Sequence, residues 1–487
     1  MKYFLSIDQG TTSTRSILFN SDGTVANSHQ IDITQYFPDN NSVEHDPKEI
    51  IDSVTNCIKN VVKDINNNEI VSIGITNQRE TTLAWSKSTG KPFHNAIVWQ
   101  DTRTQYICDE LIADKDLSDL FIKTGLPVAT YFSLSKILWL IRNVPDIKKS
   151  LEDDVCFGTI DSWLIYNLTG NFYTDVTNAS RTLLYDLYDM EWCSDLLEKL
   201  DIPINSLPQV KPSFSNFGEM KEIIPGVPVT AILGDQQAAL FGQNCINKGD
   251  VKNTYGTGCF ALTNTGKDIV KSNNGLLTTI AYQKEGEDPM FALEGSVPIA
   301  GAAVQWLRDN LNIIDKSEDI ESLAMLEKDN GDVYFVPAFS GLFSPHWDET
   351  ARGSLFGLTR FSNKSHMARA VLESVAFQTY ELLESMEKDL DTDFESLKVD
   401  GGMVANNLLM QFQSDILDKS IHSQEINEIT ALGVGVASYL YVMDLPLSSM
   451  GNYITSSKTW NPNMSNETRI NSLESWYKAI EKAKNWL

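Results

Sequence analysis

Two short turns rich in glycine and hydroxyl side chains are the stretches of this chain best suited to chemistry. They are Asp8-Gln9-Gly10-Thr11-Thr12-Ser13-Thr14-Arg15 and Tyr255-Gly256-Thr257-Gly258-Cys259. Each lies between β-prone runs: Tyr3 to Ile7 and Ser16 to Phe19 around the first, Val251 to Thr254 and Phe260 to Thr263 around the second. Glycine removes the Cβ barrier to a tight turn and exposes backbone N–H groups, while Thr and Ser add hydroxyl donors. A strand–turn–strand of this kind cradles phosphate, and two of them in separate halves predict a duplicated protein closing on one polyphosphate. Either alone would read as an ordinary β-turn. Asp8, Arg15 and a third turn at Gly401-Gly402 favour the phosphate reading. Asp8, at the end of a buried strand, is placed to hold Mg²⁺ through water, and Arg15 to neutralise phosphate charge. The Gly256-x-Gly258-x-x-Ala261 spacing also fits a dinucleotide fingerprint, but a β-prone run follows where a helix is required. No G-x-x-x-x-G-K-[ST] occurs, which excludes the P-loop class.

Asp235 is the candidate base. It follows a β-prone run and Gly234, and it opens an Ala-rich helical stretch with Gln236 and Gln237 beside it. Helix capping would explain an isolated Asp here. A helix N-terminus also keeps a carboxylate ionised and ready to accept a hydroxyl proton. Arg79-Glu80 is the third element: a planar fork of donors next to an acceptor suits adjacent hydroxyl groups, against the plainer reading of a solvated pair. Trp99 and Tyr131 are candidates to flank a carbon chain, or equally two core aromatics.

These residues need a large α/β framework. At 487 residues the chain exceeds one ordinary core, so two domains are expected, 1–245 and 246–487, divided in the Asn/Lys/Gly-rich stretch near Gln243 to Asp250. The helix signal Asp46-Pro47, the helical spacing of Ile50 to Ile65 and the β-rich runs Ile70 to Ile75 and Val227 to Leu233 give an α/β order. In the second half Met367, Val371, Val375, Leu382 and Met386 mark a long amphipathic helix. Leu397 to Met403 reads as a strand ending in the double-Gly turn, and Asn406 opens another helix. The net charge of −26, from 39 basic and 65 acidic residues, argues against nucleic acid and anionic membranes as partners. Six scattered cysteines without a CxxC pair argue against structural zinc or a disulfide framework. No signal peptide or membrane insertion is expected, and a cytoplasmic location fits.

With these motifs in view the chain resembles the FGGY carbohydrate kinase family over nearly its whole length, and within it the branch that acts on glycerol. The resemblance rests on Asp8 to Arg15, Gly74 to Thr82, Ala96 to Asp101, Gly234 to Ala239, Asn253 to Phe260, Asp400-Gly401-Gly402 and Ala405-Asn406-Asn407. It implies an actin/hexokinase-like ATPase fold of two RNase H-like domains with the site in the cleft between them. It also implies ATP-dependent phosphorylation of glycerol to sn-glycerol 3-phosphate. By position, Arg79, Glu80, Tyr131, Asp235 and Gln236 would bind glycerol, with Trp99 and Phe260 walling its carbons and Asp235 as base. Thr11, Thr12, Ser13, Arg15, Thr257, Gly301, Gln305, Gly402 and Asn406 would contact ATP, and Asp8 would help hold Mg²⁺. A homodimer or homotetramer is the expected assembly. Thr130, Leu134, Pro298 and Tyr439 depart from the family pattern. Leu134 and Pro298 keep open a kinase of a related polyol or ketose such as erythritol or xylulose. A non-catalytic polyol and nucleotide sensor is the alternative from another class. Some relatives carry a fructose 1,6-bisphosphate loop or a phosphorylatable His in the segment corresponding to Phe217–Pro228. This segment has neither, so neither form of regulation is expected.

Overall fold

The protein is described by a computed structural model covering residues 2–426, 428–454 and 456–487. Tyr3–Gln9 is buried on both faces through Phe4, Leu5 and Ile7, as a central strand covered by helices on either side must be. It pairs antiparallel with Ser13–Asn20, which pairs antiparallel with Val25–Asp32. On its other edge it runs parallel to Ile70–Asn77, which runs parallel to Pro228–Gly234, and Phe214–Glu219 closes the sheet antiparallel. The parallel register sets Asp8 opposite Thr76, Gln9 opposite Asn77, and Gly234 opposite Asn77. The carboxyl ends of three strands therefore converge, which is where open α/β sheets bind ligands.

The second half repeats this order. Val251–Tyr255 pairs antiparallel with Cys259–Gly266, which pairs antiparallel with Met290–Val297. Ser396–Asp400 and Ser420–Gln424 then add in parallel on the far edge of Val251–Tyr255, while Leu277–Tyr282 and Ser456–Trp460 extend the two edges. Both halves thus read meander, then parallel additions to the first strand. This is the two-domain actin/hexokinase-like arrangement. The helices fall where the periodicity puts them. Pro47–Val61 starts at Asp46, whose side chain accepts from the Lys48 N–H, and Lys364–Leu390 buries Val371, Val375, Leu382 and Met386, with Met367 half-buried.

One helix crosses between the halves. Ile429–Val442, late in the chain, lies on the first sheet and on the helix Asp235–Gly242. Ser6 Oγ donates to the Ala431 carbonyl at 2.7 Å, and Thr230 Oγ1 to that of Ser438 at 3.0 Å. The approach is close enough that glycine is required on both sides. A Cβ on Gly74 would stand 2.3 Å from the Val434 oxygen, and one on Gly433 would stand 2.1 Å from the Ala238 oxygen. Tyr439, the departure in this helix, has its ring 5.3 Å from that of Phe4 and fills the layer between helix and sheet. A Gly74→Ala variant is expected to lose about 1–3 kcal/mol of stability as the helix is pushed off the sheet. Urea unfolding of the purified variant measures this; a midpoint equal to wild type would show that the helix yields freely.

Candidate active site

The first hairpin turns at Gly10 to Thr12, with the Gly10 N–H on the Ser13 carbonyl at 2.9 Å and the Ile33 N–H on that of Thr12 at 2.9 Å. Gln78, at the end of the neighbouring strand, donates from Nε2 to Gln9 Oε1 and to the Gly10 carbonyl, both at 3.1 Å, and so braces the turn. Thr12 is exposed and Thr11 and Ser13 are half-buried. Arg15 lies opposite Asp8 across the hairpin and forms an ion pair with Glu428. Burial, then Asp235 and Glu428, lift the Asp8 carboxyl to about 7 against the opposing Arg15. Among the described residues no group of three metal-ligating side chains surrounds Asp8, so a cation there would be held through water.

Behind the strand ends lies a buried charge network. Arg79 donates to Glu294 through Nη1 at 2.5 Å and Nη2 at 2.7 Å, to Gln237 Oε1 at 3.2 Å, and its Nε stands 3.2 Å from Asp235 Oδ1. Arg181 Nε donates to Glu80 Oε1 at 2.7 Å and Nη2 to Glu294 Oε1 at 3.3 Å. One carboxylate from the second sheet thus sits between two guanidiniums from the first half. Burial would raise Glu294, yet Arg181 and then Arg79 hold it down to about 2. Arg181 also lies over the rings of Tyr131 and Phe132, with centroids at 5.7 and 5.4 Å. Tyr131 meets Trp99 edge-on at 5.6 Å, and Trp99 Nε1 donates to Thr11 Oγ1 at 3.0 Å. The segment carrying Tyr131 is pinned by the buried Lys136 ammonium on the carbonyls of Thr130, Tyr131 and Phe132. Leu134 is wholly buried in the hydrophobic cluster containing Ile137, Phe157 and Leu184, with its N–H on the Thr182 carbonyl at 2.9 Å.

Asp235 is the first residue of its helix, with Gly234 in the capping position. Its Oδ1 accepts from the Gln236 N–H at 2.7 Å, and 34% of its side chain remains accessible. Burial raises its pKa and the Arg79 guanidinium opposes the rise. Gln236 is held by Lys252, whose Nζ also reaches Thr254 Oγ1 at 2.9 Å and the Phe260 carbonyl at 3.3 Å. Arg79, Glu80, Tyr131, Trp99, Asp235, Gln236, Phe260 and Thr11 therefore form one connected set. Arg181, Glu294 and Lys252, which complete it, went unnoticed in the sequence. Each is a lone charge in an apolar or Thr-rich stretch, and nothing local marks it as buried.

The remaining candidates gather in a cavity of about 450 Å³ in the second half, lined by Thr257, Gly301, Gln305, Gly402 and Asn406 with Ser317, Ile320, Glu321 and Leu372. The second hairpin is stapled to the start of the helix Gly301–Asp309: the Gly301 N–H binds the Gly256 carbonyl, and the Ala300 and Ala302 N–H groups bind that of Thr257, all at 3.0 Å. Gly401 has φ +96° and packs its Cα against the Tyr255 backbone, where a Cβ would stand 2.4 Å from the oxygen; Gly402 beside it faces open space. Asn406 caps the helix Asn407–Leu417 by accepting from the Leu409 N–H at 2.9 Å. Lys252 links this side to the charge network, since Asp400, Glu294 and Asp235 all act on its buried ammonium.

A duplicated sheet topology with a phosphate-type hairpin in each half and a carboxylate at the cleft defines an ATPase-fold kinase of small hydroxylated substrates. The chain belongs to the FGGY family of carbohydrate kinases: its N-terminal domain matches residues 3–242 and its C-terminal domain residues 251–439. It is 49% identical to a glycerol kinase of Brucella anthropi, with 99% of both chains covered, and 47% identical to one of Clavibacter michiganensis, covering 100% of this chain and 98% of the other. Among solved structures it superposes on Plasmodium falciparum glycerol kinase with ADP at a TM-score of 0.94 and 39% identity, covering 99% and 98% of the two chains. It superposes on a xylulose kinase of Lactobacillus acidophilus at 0.88 and 21% identity, covering 99% and 97%, a likeness of fold.

Glu294→Gln removes the charge shared by two buried guanidiniums and is expected to cost about 3–5 kcal/mol of stability. The pH sign follows from its lowered pKa: the wild-type contribution is complete above the ordinary value of 4.5 and is lost as pH falls toward about 2. Chemical unfolding of both proteins at pH 7 and pH 3 checks this. The gap should narrow at pH 3, and an equal gap at both would contradict it.

Proposed function

We propose that the protein transfers the γ-phosphoryl group of ATP to a primary hydroxyl of glycerol, giving sn-glycerol 3-phosphate and ADP. The observation that carries this reading is Asp235, a carboxylate at a helix N-terminus, oriented by Arg79 and partly open to the cleft among the hydroxyl-binding candidates. Its full-length relatives are glycerol kinases, and the Plasmodium falciparum enzyme was solved with ADP. In this mechanism Arg79 and Gln236 donate to the polyol hydroxyls, Glu80 accepts from one, and Trp99, Tyr131 and Phe260 border the carbons. Asp235 orients the attacking hydroxyl and takes its proton as the new O–P bond forms and the bond from γ-phosphorus to the ADP oxygen breaks. In a loose transition state this orientation matters more than basicity. Thr11, Thr12, Ser13 and Arg15 would hold the transferring phosphates, and Thr257, Gly301, Gln305, Gly402 and Asn406 the rest of ATP. Asp8 would hold Mg²⁺ through water, and the ion would neutralise phosphate charge.

Residues 1–245 then supply the polyol-binding groups other than Phe260, the first phosphate hairpin and the catalytic Asp235, and residues 246–487 supply the rest of the nucleotide site. The six free, buried cysteines support a cytoplasmic enzyme, and we take its assembly to be a homodimer or homotetramer. The burial of Leu134 in a core cluster favours glycerol over a longer polyol, since it reads as packing.

Coupled ADP release with glycerol, dihydroxyacetone, erythritol, xylitol and xylulose tests the reading. Glycerol should lead in kcat/KM by orders of magnitude; a longer substrate in first place would overturn the assignment. Asp235→Ala should lower kcat by about 10²–10⁴ with ATP affinity unchanged. Near-normal turnover would remove Asp235 from the mechanism.

A further inference from the structure

Lys252 carries an inference beyond these roles. It projects from Val251–Tyr255 of the second sheet and is wholly buried. Its ammonium has three donors and no acceptor, and the structure gives it three oxygens: Gln236 Oε1 at 2.5 Å, Thr254 Oγ1 at 2.9 Å and the Phe260 carbonyl at 3.3 Å. Two of those partners, Gln236 and Phe260, belong to residues assigned to the polyol. Because Lys252 can only donate, the Gln236 amide has to turn its oxygen toward it, which settles the ambiguity an amide otherwise carries. The other end of the amide, Nε2, has no protein partner among the described residues, and Gln236 is half-buried at the cleft.

We infer that Lys252 is a positioning residue for the polyol subsite, locking the Gln236 amide so that only its N–H donors are offered to the ligand. The group bound there must then be an oxygen acceptor, a hydroxyl lone pair or a carbonyl. Since Gln236 lies in the first turn of a helix of the first half and Lys252 on a strand of the second, the lock also forms between the halves. The amide is therefore aimed only when both halves are in place.

The inference rests on the glycerol reading, and a double-mutant cycle separates the two. Wild type, Lys252→Met, Gln236→Ala and the double variant are assayed for kcat, glycerol KM and ATP KM, with thermal melting recorded for each. Lys252→Met should raise the glycerol KM roughly 10- to 100-fold, the range for losing a hydrogen bond to a charged group. The ATP KM should stay within about twofold and the double variant should be no worse than Gln236→Ala. If the methionine variant melts below the assay temperature, Thr254→Val loosens the ammonium more gently. It should raise the glycerol KM by a smaller factor, again only when Gln236 is present. Full additivity with Gln236→Ala, or an unchanged glycerol KM, overturns the inference while leaving the glycerol reading intact. A wild-type enzyme that does not turn over glycerol defeats both.

Discussion

The site depends first on a carboxylate that has left water. Glu294 is buried between the guanidiniums of Arg79 and Arg181, and in that low-dielectric setting it is the carboxylate that both arginines share, with Asp235 and Glu80 as their separate partners. Arg79, once fixed, sets Asp235 through its remaining Nε; Arg181, once fixed, sets Glu80 and lies under Tyr131. A single anion from the second sheet thereby orients four of the groups that the first half offers to a polyol. Buried ion pairs are weak sources of net stability, and the value of this one lies in the unique geometry it imposes.

That geometry includes backbone strain. Glu80 has φ +60°, a left-handed conformation that a non-glycine residue adopts at a cost of about 1–3 kcal/mol. Its carbonyl is held by the hydroxyls of Thr82 at 2.8 Å and Ser133 at 3.1 Å, and its carboxylate by Arg181. The strain turns the side chain away from the line of the preceding strand and into the network. Arg79 and Glu80, adjacent in sequence, are thereby able to meet different partners.

Much of this is legible in the sequence, and for a local reason. A glycine-and-threonine hairpin, an Asp-Pro helix start or an Asn capping a helix encodes its conformation within a few residues. Those elements stand where the spacing put them: Asp46 and Asn406 cap helices, and Asp235 opens one. Glu294 and Lys252 were not legible. Each sits in a strand where alternation would send its charge to solvent, and the face it occupies is solvent-like only until the other half covers it. Arg181 follows a short helix among Asn, Ser and Thr and looks like a surface residue, although its partners lie about 100 residues away in either direction. Buried polar networks assembled from distant segments leave no periodic trace, because the pattern belongs to the pairing and not to any one stretch.

The helix Ile429–Val442 gives the chain an unusual schedule of birth. During synthesis the strands Tyr3–Gln9, Ile70–Asn77 and Pro228–Gly234 leave the ribosome long before the helix that covers one face of their sheet. At about 5–20 residues per second, the roughly 200 residues between the last of those strands and the helix take on the order of 10–40 s to appear. Through that interval an apolar surface built around Phe4, Ala231 and Leu233 waits uncovered. The nascent first half is therefore a client for whatever shields exposed hydrophobic surface in its cell, and a chain truncated before residue 429 would never outgrow that need.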